Sequence, residues 1–267
     1  MMYTTLEVLR DGPIATVWLN RPEVHNAFNA MLIAELTTVC RLLDVDDTAR
    51  VVVLAGRGKS FCAGADLNWM KAAGEASLAD NTADARRLAS MLQALAELRK
   101  PTIARVHGPA FGGGLGLAAA CDLCVAATAA VFAASEVRLG LIAATISPYV
   151  LRAIGERQAY RYLLTAERIT AAHAHDIGLA HEVVAPEQLD AKIAELIYAL
   201  LQGGPKALAA SKALIRTVAN QSIDEGLMDE TARRIAELRA TPEGREGLAA
   251  FLEKRPPAWI AGATGQP

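Results

Sequence analysis

The chain has 267 residues, with 27 basic against 29 acidic side chains and a formal net charge of −2. A balance this even excludes the clustered basic excess of a nucleic-acid binder. With 52% hydrophobic and 21% charged residues, intrinsic disorder is excluded as well, and the length suffices for a substantial core.

The segment Met1-Met2-Tyr3-Thr4-Thr5-Leu6-Glu7 lacks the basic start and apolar stretch of a secretory signal, so a cytoplasmic location is expected. Ile14–Leu19 reads as a strand, and Arg21-Pro22 to Asn26 as a turn into an amphipathic helix carrying Phe28, Met31, Leu32 and Leu36. Residues 51–54 form a short, continuous apolar run of the kind found in buried parallel strands. A glycine-rich loop follows at 56–66, and then a polar segment, 74–80, without periodicity. Leu88, Met91, Leu92, Leu95 and Leu98 mark one stripe of a helix that Lys100-Pro101 stops.

The pattern then recurs: a strand at Thr102–Val106, a glycine-rich loop at 107–114, a helix at 115–120 and a strand at Leu123–Ala127. Strand, loop and helix in alternation predict an α/β architecture. The apolar stretch 108–134 has the length of a membrane span, but Asp122 near its middle and the glycines at its start place it in a protein core. From Pro186 onward the pattern is helical, with Leu189, Ile193, Leu196 and Ile197 and then Leu208, Leu214 and Ile215. The expected units are therefore 1–195, an α/β core, and 196–267, a helical extension.

Four cysteines, Cys40, Cys62, Cys121 and Cys124, are too few for a disulfide framework. Cys121-x-x-Cys124 allows a redox pair, but its alanine-rich flanks read as core, and zinc would need two further ligands at compatible spacing. His173, His175 and His181 have no carboxylate or cysteine at ligand spacing and read as surface or packing residues. No metal is implied.

The glycine loops match none of three familiar devices. A P-loop would need glycine at Val53, a dinucleotide fingerprint would need it at Leu117, and no serine sits in G-x-S-x-G. What they share is a design: each leaves an apolar strand, lets the backbone approach a ligand closely and opens a helix. Two such loops either simply pack closely or converge two backbone N–H groups on one oxygen, an oxyanion hole.

Phe61-Cys62-Ala63-Gly64-Ala65-Asp66 together with His107-Gly108-Pro109-Ala110-Phe111-Gly112-Gly113-Gly114 resembles the enoyl-CoA hydratase/isomerase (crotonase) family. Arg21-Pro22, Asn26-Ala27, Ala120-Cys121-Asp122, Ser135 to Gly140 and the ending from Gly244 to Arg255 extend the likeness over nearly the whole chain. The resemblance implies a crotonase-like spiral of β-β-α units with a C-terminal helical trimerisation region, assembled as a homotrimer or dimer-of-trimers hexamer. It also implies an acyl-CoA substrate, with coenzyme A entering as part of that substrate and no separate cofactor. The thioester oxygen would take hydrogen bonds from the N–H groups of Ala65 and Gly113. Val24, Ala63, Asp66, Leu67, Gly112 and Gly116 would line the substrate path, with Asp66 equally suited to cap the following helix. Lys254 would be either a surface lysine or a contact to the CoA phosphates of a neighbouring subunit.

Two glutamates share hydration in much of the family. Glu136 matches the second, whereas the first position is Gly116. Ala65-Asp66-Leu67-Asn68-Trp69-Met70, Gly116 and the run Glu136 to Tyr149 together resemble a bacterial branch of methylglutaconyl-CoA or carboxygeranoyl-CoA hydratases, whose substrates carry a second carboxylate. Arg138 would neutralise that carboxylate or form a structural ion pair. A Δ3,Δ2-enoyl-CoA isomerase needs only one carboxylate and is the alternative, and a catalytically silent acyl-CoA binder is a third. His107 stands at a strand end, outside the family's catalytic positions.

Overall fold

The computed structural model describes residues 3–261; residues 1–2 and 262–267, the outer ends of the two expected units, lie outside them. The chain opens with β1 (Leu6–Asp11), β2 (Ile14–Leu19), a 3₁₀ turn (Pro22–Val24), α1 (Ala30–Val45) and β3 (Val51–Gly56). It continues through α2 (Leu67–Glu75), α3 (Leu78–Glu97), β4 (Thr102–Val106), β5 (Ala110–Phe111), α4 (Gly113–Ala120), β6 (Leu123–Ala127) and β7 (Val131–Ala133). A second 3₁₀ turn (Glu136–Leu139) leads to α5 (Ser147–Thr165), β8 (Ile169–Thr170), α6 (Ala171–Asp176) and β9 (Glu182–Val184). The rest is helical: α7 (Leu189–Gln202), α8 (Pro205–Val218), α9 (Glu225–Ala240), α10 (Pro242–Glu253) and α11 (Ala258–Ala261).

Six strands form one sheet in the order β1-β2-β3-β4-β6-β9, antiparallel only between β1 and β2. A small second sheet, β5-β7-β8, carries the chain past the second glycine loop. Period-two alternation explains why β3 is apolar throughout: Val51 and Val53 join one buried cluster with Ile103, Val125, Leu189, Ile193 and Ile197. Val52 and Leu54 face the other, larger cluster with Leu36, Met91, Leu95 and Leu117. The apolar side of α7 thus covers one sheet face, and residue 195 falls inside that helix.

Two departures from the sequence reading have simple causes. β1 escaped notice because only Leu6 in it is buried, leaving no alternation to read. The polar segment 74–80 is a single break between helices: the Ser77 hydroxyl caps α3 by accepting from Asp80 N at 3.1 Å and donates to its carboxylate at 2.7 Å. The first turns of α3 are solvated, so they carry no apolar stripe. The stretch 108–134 folds into β5, α4, β6 and β7, and no described helix is long and apolar enough to cross a membrane. Asp122 accepts from Thr102 N at 2.8 Å and pairs with Lys212 of α8 at 2.6 Å.

Candidate active site

The first loop is held from below by Asn26, which is fully buried with φ 57°. Its amide nitrogen donates to the carbonyls of Arg57 and Ser60 at 2.8 Å each and of Phe61 at 3.2 Å. Its side-chain oxygen accepts from Arg21 N at 2.9 Å, so one side chain fastens the turn after β2 to the loop after β3. Phe28 then forms a parallel bridge with Ala65: Phe28 N donates to Gly64 O at 2.6 Å and Asp66 N to Phe28 O at 2.8 Å. In such a bridge the middle residue's own N–H points away from the partner strand. Ala65 therefore presents its N–H on the side opposite Phe28.

The second loop is tied to the first by Cys62 N donating to Pro109 O at 3.1 Å and Phe111 N to Cys62 O at 2.9 Å. Gly112, at φ 50°, spends its N–H on Ala133 O at 2.8 Å. Gly113 is the first residue of α4, so its N–H has no partner inside the helix. A Cβ on Gly64 would lie 2.9 Å from Phe111 O and 3.6 Å from Gly113 N, which shows how closely the loops abut. A Cβ on Gly113 would lie 2.8 Å from Cδ2 of Phe28, with Cε2 nearer still. Only glycine fits there. The structure thus brings Ala65, Gly112 and Gly113 into one small region.

Glu136 enters that region from the 3₁₀ turn after β7. A Cβ on Gly112 would be 3.2 Å from Glu136 Oε1 and 3.9 Å from Gly64 Cα. Oε2 is buried with no hydrogen-bond partner among the described residues. Burial pushes this carboxyl above its ordinary value, only partly offset by its own backbone N–H. Gly116, the other position of interest, lies one turn along α4 from Gly112, and a Cβ there would be 2.8 Å from Cβ of Ile146 and nearer to its Cγ2.

Asp66 is buried and fully occupied. It caps α2 by accepting from Asn68 N at 2.9 Å and Trp69 N at 3.4 Å, and pairs with Arg21 at 2.9 Å. Burial opposes its charge, but these hydrogen bonds and the guanidinium outweigh it and hold the carboxyl below its ordinary value. Ala63 N donates to His25 O at 2.9 Å, which sets the half-buried Val24 turn beside the first loop, and Leu67 is 82% exposed there. Lys254 ends α10 in the left-handed region, exposed among the C-terminal helices.

His107 Nε2 lies 2.9 Å from Gly58 O, and burial pushes its pKa down. His175 and His181 are likewise engaged, with Ala180 O at 3.2 Å and Cys124 N at 3.1 Å, and His173 packs on Tyr162. All four cysteines are buried and free, and burial pushes the thiols of Cys40, Cys62 and Cys124 up to about 12.

Sequence reasoning missed three residues that shape this region. Asn26 appeared only as part of a motif. Phe28 read as a helix-face residue, yet α1 starts two residues later with Asn29 as its cap. Ile146 sat in an unpatterned run. The crowding at Gly113 and Gly116 is a clue that large neighbours are near, but it does not say which.

The mixed α/β fold, its two abutting glycine loops and the half-buried carboxyl of Glu136 agree with the class of enzyme that the sequence resembles. The chain belongs to the enoyl-CoA hydratase/isomerase family, whose profile matches residues 10–262. It is similar to the crystal structure of an enoyl-CoA hydratase from Shewanella pealeana, at 42% identity and TM-score 0.93, covering 96% of each chain. An enoyl-CoA hydratase structure from Mycobacterium smegmatis matches at 36% identity and TM-score 0.90, covering 96% of this chain and 99% of that one. Among curated relatives, an enoyl-CoA hydratase of Alternaria alternata is 36% identical over 248 residues, covering 92% of this chain and 80% of its own.

Proposed function

We propose that the protein adds water across the 2,3 double bond of a 2-enoyl-CoA, with Glu136 as its single acid–base group. The observation that carries this is the half-buried Glu136 carboxyl, with Oε2 buried and unpartnered among the described residues and Oε1 against Gly112. In this reading the carboxylate takes a proton from water as the oxygen bonds to C3. The π electrons move onto the thioester oxygen, where the N–H groups of Ala65 and Gly113 hold the enolate. Glu136 then returns the proton to C2 and the carbonyl re-forms. A carboxyl whose proton affinity is raised by burial suits both halves of that cycle. Coenzyme A enters as part of the substrate, and no further cofactor is required by these steps.

Gly116 offers no second carboxyl, which supports one glutamate doing both transfers. The same observation favours a second reading, a Δ3,Δ2-enoyl-CoA isomerase in which Glu136 carries a proton from C4 to C2. For the acyl chain we infer a 3-methylglutaconyl type. Its support is Arg138, exposed two residues beyond Glu136 and without an acidic partner among the described residues. Exposed Ile215, Ile223, Phe251 and Leu252 on and between the C-terminal helices support a homotrimer or hexamer. Sizing at micromolar concentration should give a multiple of 28.2 kDa, and a monomer would overturn the assembly.

The test incubates the purified protein with crotonyl-CoA, 3-methylglutaconyl-CoA and a 3-enoyl-CoA, following the conjugated thioester absorbance and the products. Glu136→Gln should lose turnover by about 10²–10⁴-fold while still binding acyl-CoA. Conversion of the 3-enoyl ester without hydration assigns the isomerase. Turnover of none of the three overturns both readings.

A further inference from the structure

Glu136 and Ile146 both pack against the first turn of α4, Glu136 at its cap and Ile146 four residues further along. The carboxyl of Glu136 lies over Gly112, and the side chain of Ile146 lies over Gly116. Gly112 caps α4 with φ 50°, and about one turn of helix, roughly 5.4 Å of rise, separates it from Gly116. Ordinary contact between non-bonded carbons is about 3.5–4.0 Å. A Cβ at 116 would sit 2.8 Å from Cβ of Ile146, so Ile146 occupies the room that any side chain at 116 would need.

That isoleucine cannot swing aside. It is 2% exposed and sits at the start of α5, where its carbonyl accepts from Tyr149 N and Val150 N at 3.1 Å each. Its β-branched side chain is also stiff at χ1. The cover over Gly116 is therefore apolar and stiff, built by a residue 30 positions away in sequence.

We propose that Ile146 is the specificity-determining residue of this enzyme: packed over Gly116, it closes the acyl site one turn of α4 beyond Glu136 and restricts it to short acyl chains. The proposal rests on the acyl-CoA reading of the site. A straight chain running from C3 past Glu136 along α4 meets Ile146, whereas a four-carbon acyl group ends before it. Trimming Ile146 to alanine opens that direction, while leaving the Glu136 carboxyl and both backbone donors in place.

The experiment compares kcat/KM for 2-octenoyl-CoA with that for crotonyl-CoA in the parent and in Ile146→Ala. The ratio should rise by about 10-fold or more, the scale on which an apolar pocket discriminates chain length. An unchanged or lower ratio overturns the proposal. Calorimetric Kd values for the unreactive esters octanoyl-CoA and butyryl-CoA give the same comparison without chemistry, and should shift the same way. If neither protein turns over but the Kd ratio shifts, the hydration reading falls and the assignment of Ile146 stands; if turnover persists with both ratios unchanged, the reverse holds. Ile146→Val serves if the alanine variant does not fold, with a smaller shift of the same sign. As a packing control, Gly116→Ala should lower Tm, and Gly116→Ala/Ile146→Ala should lose less than the two single losses combined; additive losses overturn the contact.

Discussion

Replacing Gly113 by alanine places a methyl group where the ring of Phe28 already lies. The new Cβ would be 2.8 Å from Cδ2 and 3.0 Å from Cζ, with Cε2 closer, so the gap falls well short of ordinary carbon contact. Phe28 is 1% exposed, and its backbone carries the bridge that orients Ala65. The ring therefore cannot retreat without disturbing the first loop, and α4 must shift instead. Overpacking of this kind costs about 1–3 kcal/mol. At roughly 2–4 °C per kcal/mol for a chain of this size, Tm should fall by about 2–12 °C in a calorimetric scan. An ångström of displacement at a positioned donor costs on the order of 10²-fold in rate. In the proposed reaction the Gly113 amide donates to the enolate only in the transition state, so the loss should appear in kcat with KM little changed. Adding Phe28→Leu should recover part of both losses. Parental Tm and kcat in Gly113→Ala would refute the reasoning, since they would mean that neither the ring nor the amide is fixed where the structure puts it.

Two further outcomes follow from buried charges. Lys212 is 9% exposed and pairs with Asp122 at 2.6 Å; Lys212→Met strands that carboxylate against Thr102 and should cost about 3–5 kcal/mol in urea unfolding. A loss under about 1 kcal/mol would show that the pair contributes little. Glu136 has its proton affinity raised by burial, so the folded state binds more protons than the unfolded state between the ordinary glutamate value and the raised one. Parent stability should therefore fall as pH climbs through that window and level off above it. Glu136→Gln removes this fall, so its Tm advantage over the parent should be larger at pH 8 than at pH 4. An advantage independent of pH would contradict the raised value.

The strands at Ile14–Leu19 and Thr102–Val106 were legible because each combines an apolar or β-branched run with glycine or proline at its ends, and Leu123–Ala127 because its apolar run starts after Asp122 and stops at Thr128. The paired loops were legible for the same reason, since glycine clusters announce close backbone approach. What could not be read was partnership across the chain. Glycine at 113 signals crowding, but only the bridge at Ala65 shows that Phe28 causes it. Gly116 read as a missing carboxylate, and the structure adds that an isoleucine from the start of α5 has taken the space. Asp66 admitted two roles in sequence, and its cap and its Arg21 pair are visible only in three dimensions. Likewise the edge strand β1 carries almost no burial signal, because a strand with one buried residue has no period to detect.

Asn26 also has an electrostatic consequence. Three peptide carbonyls of the first loop, those of Arg57, Ser60 and Phe61, turn their negative ends toward its amide nitrogen. Those dipoles are thereby gathered on one buried side chain rather than left to solvent. An aspartate at 26 would reverse the arrangement, setting an acceptor against three acceptors, and the loop would have to turn at least one carbonyl outward to relieve it. The shape of the first loop is in this sense stored in a side chain at the turn after β2.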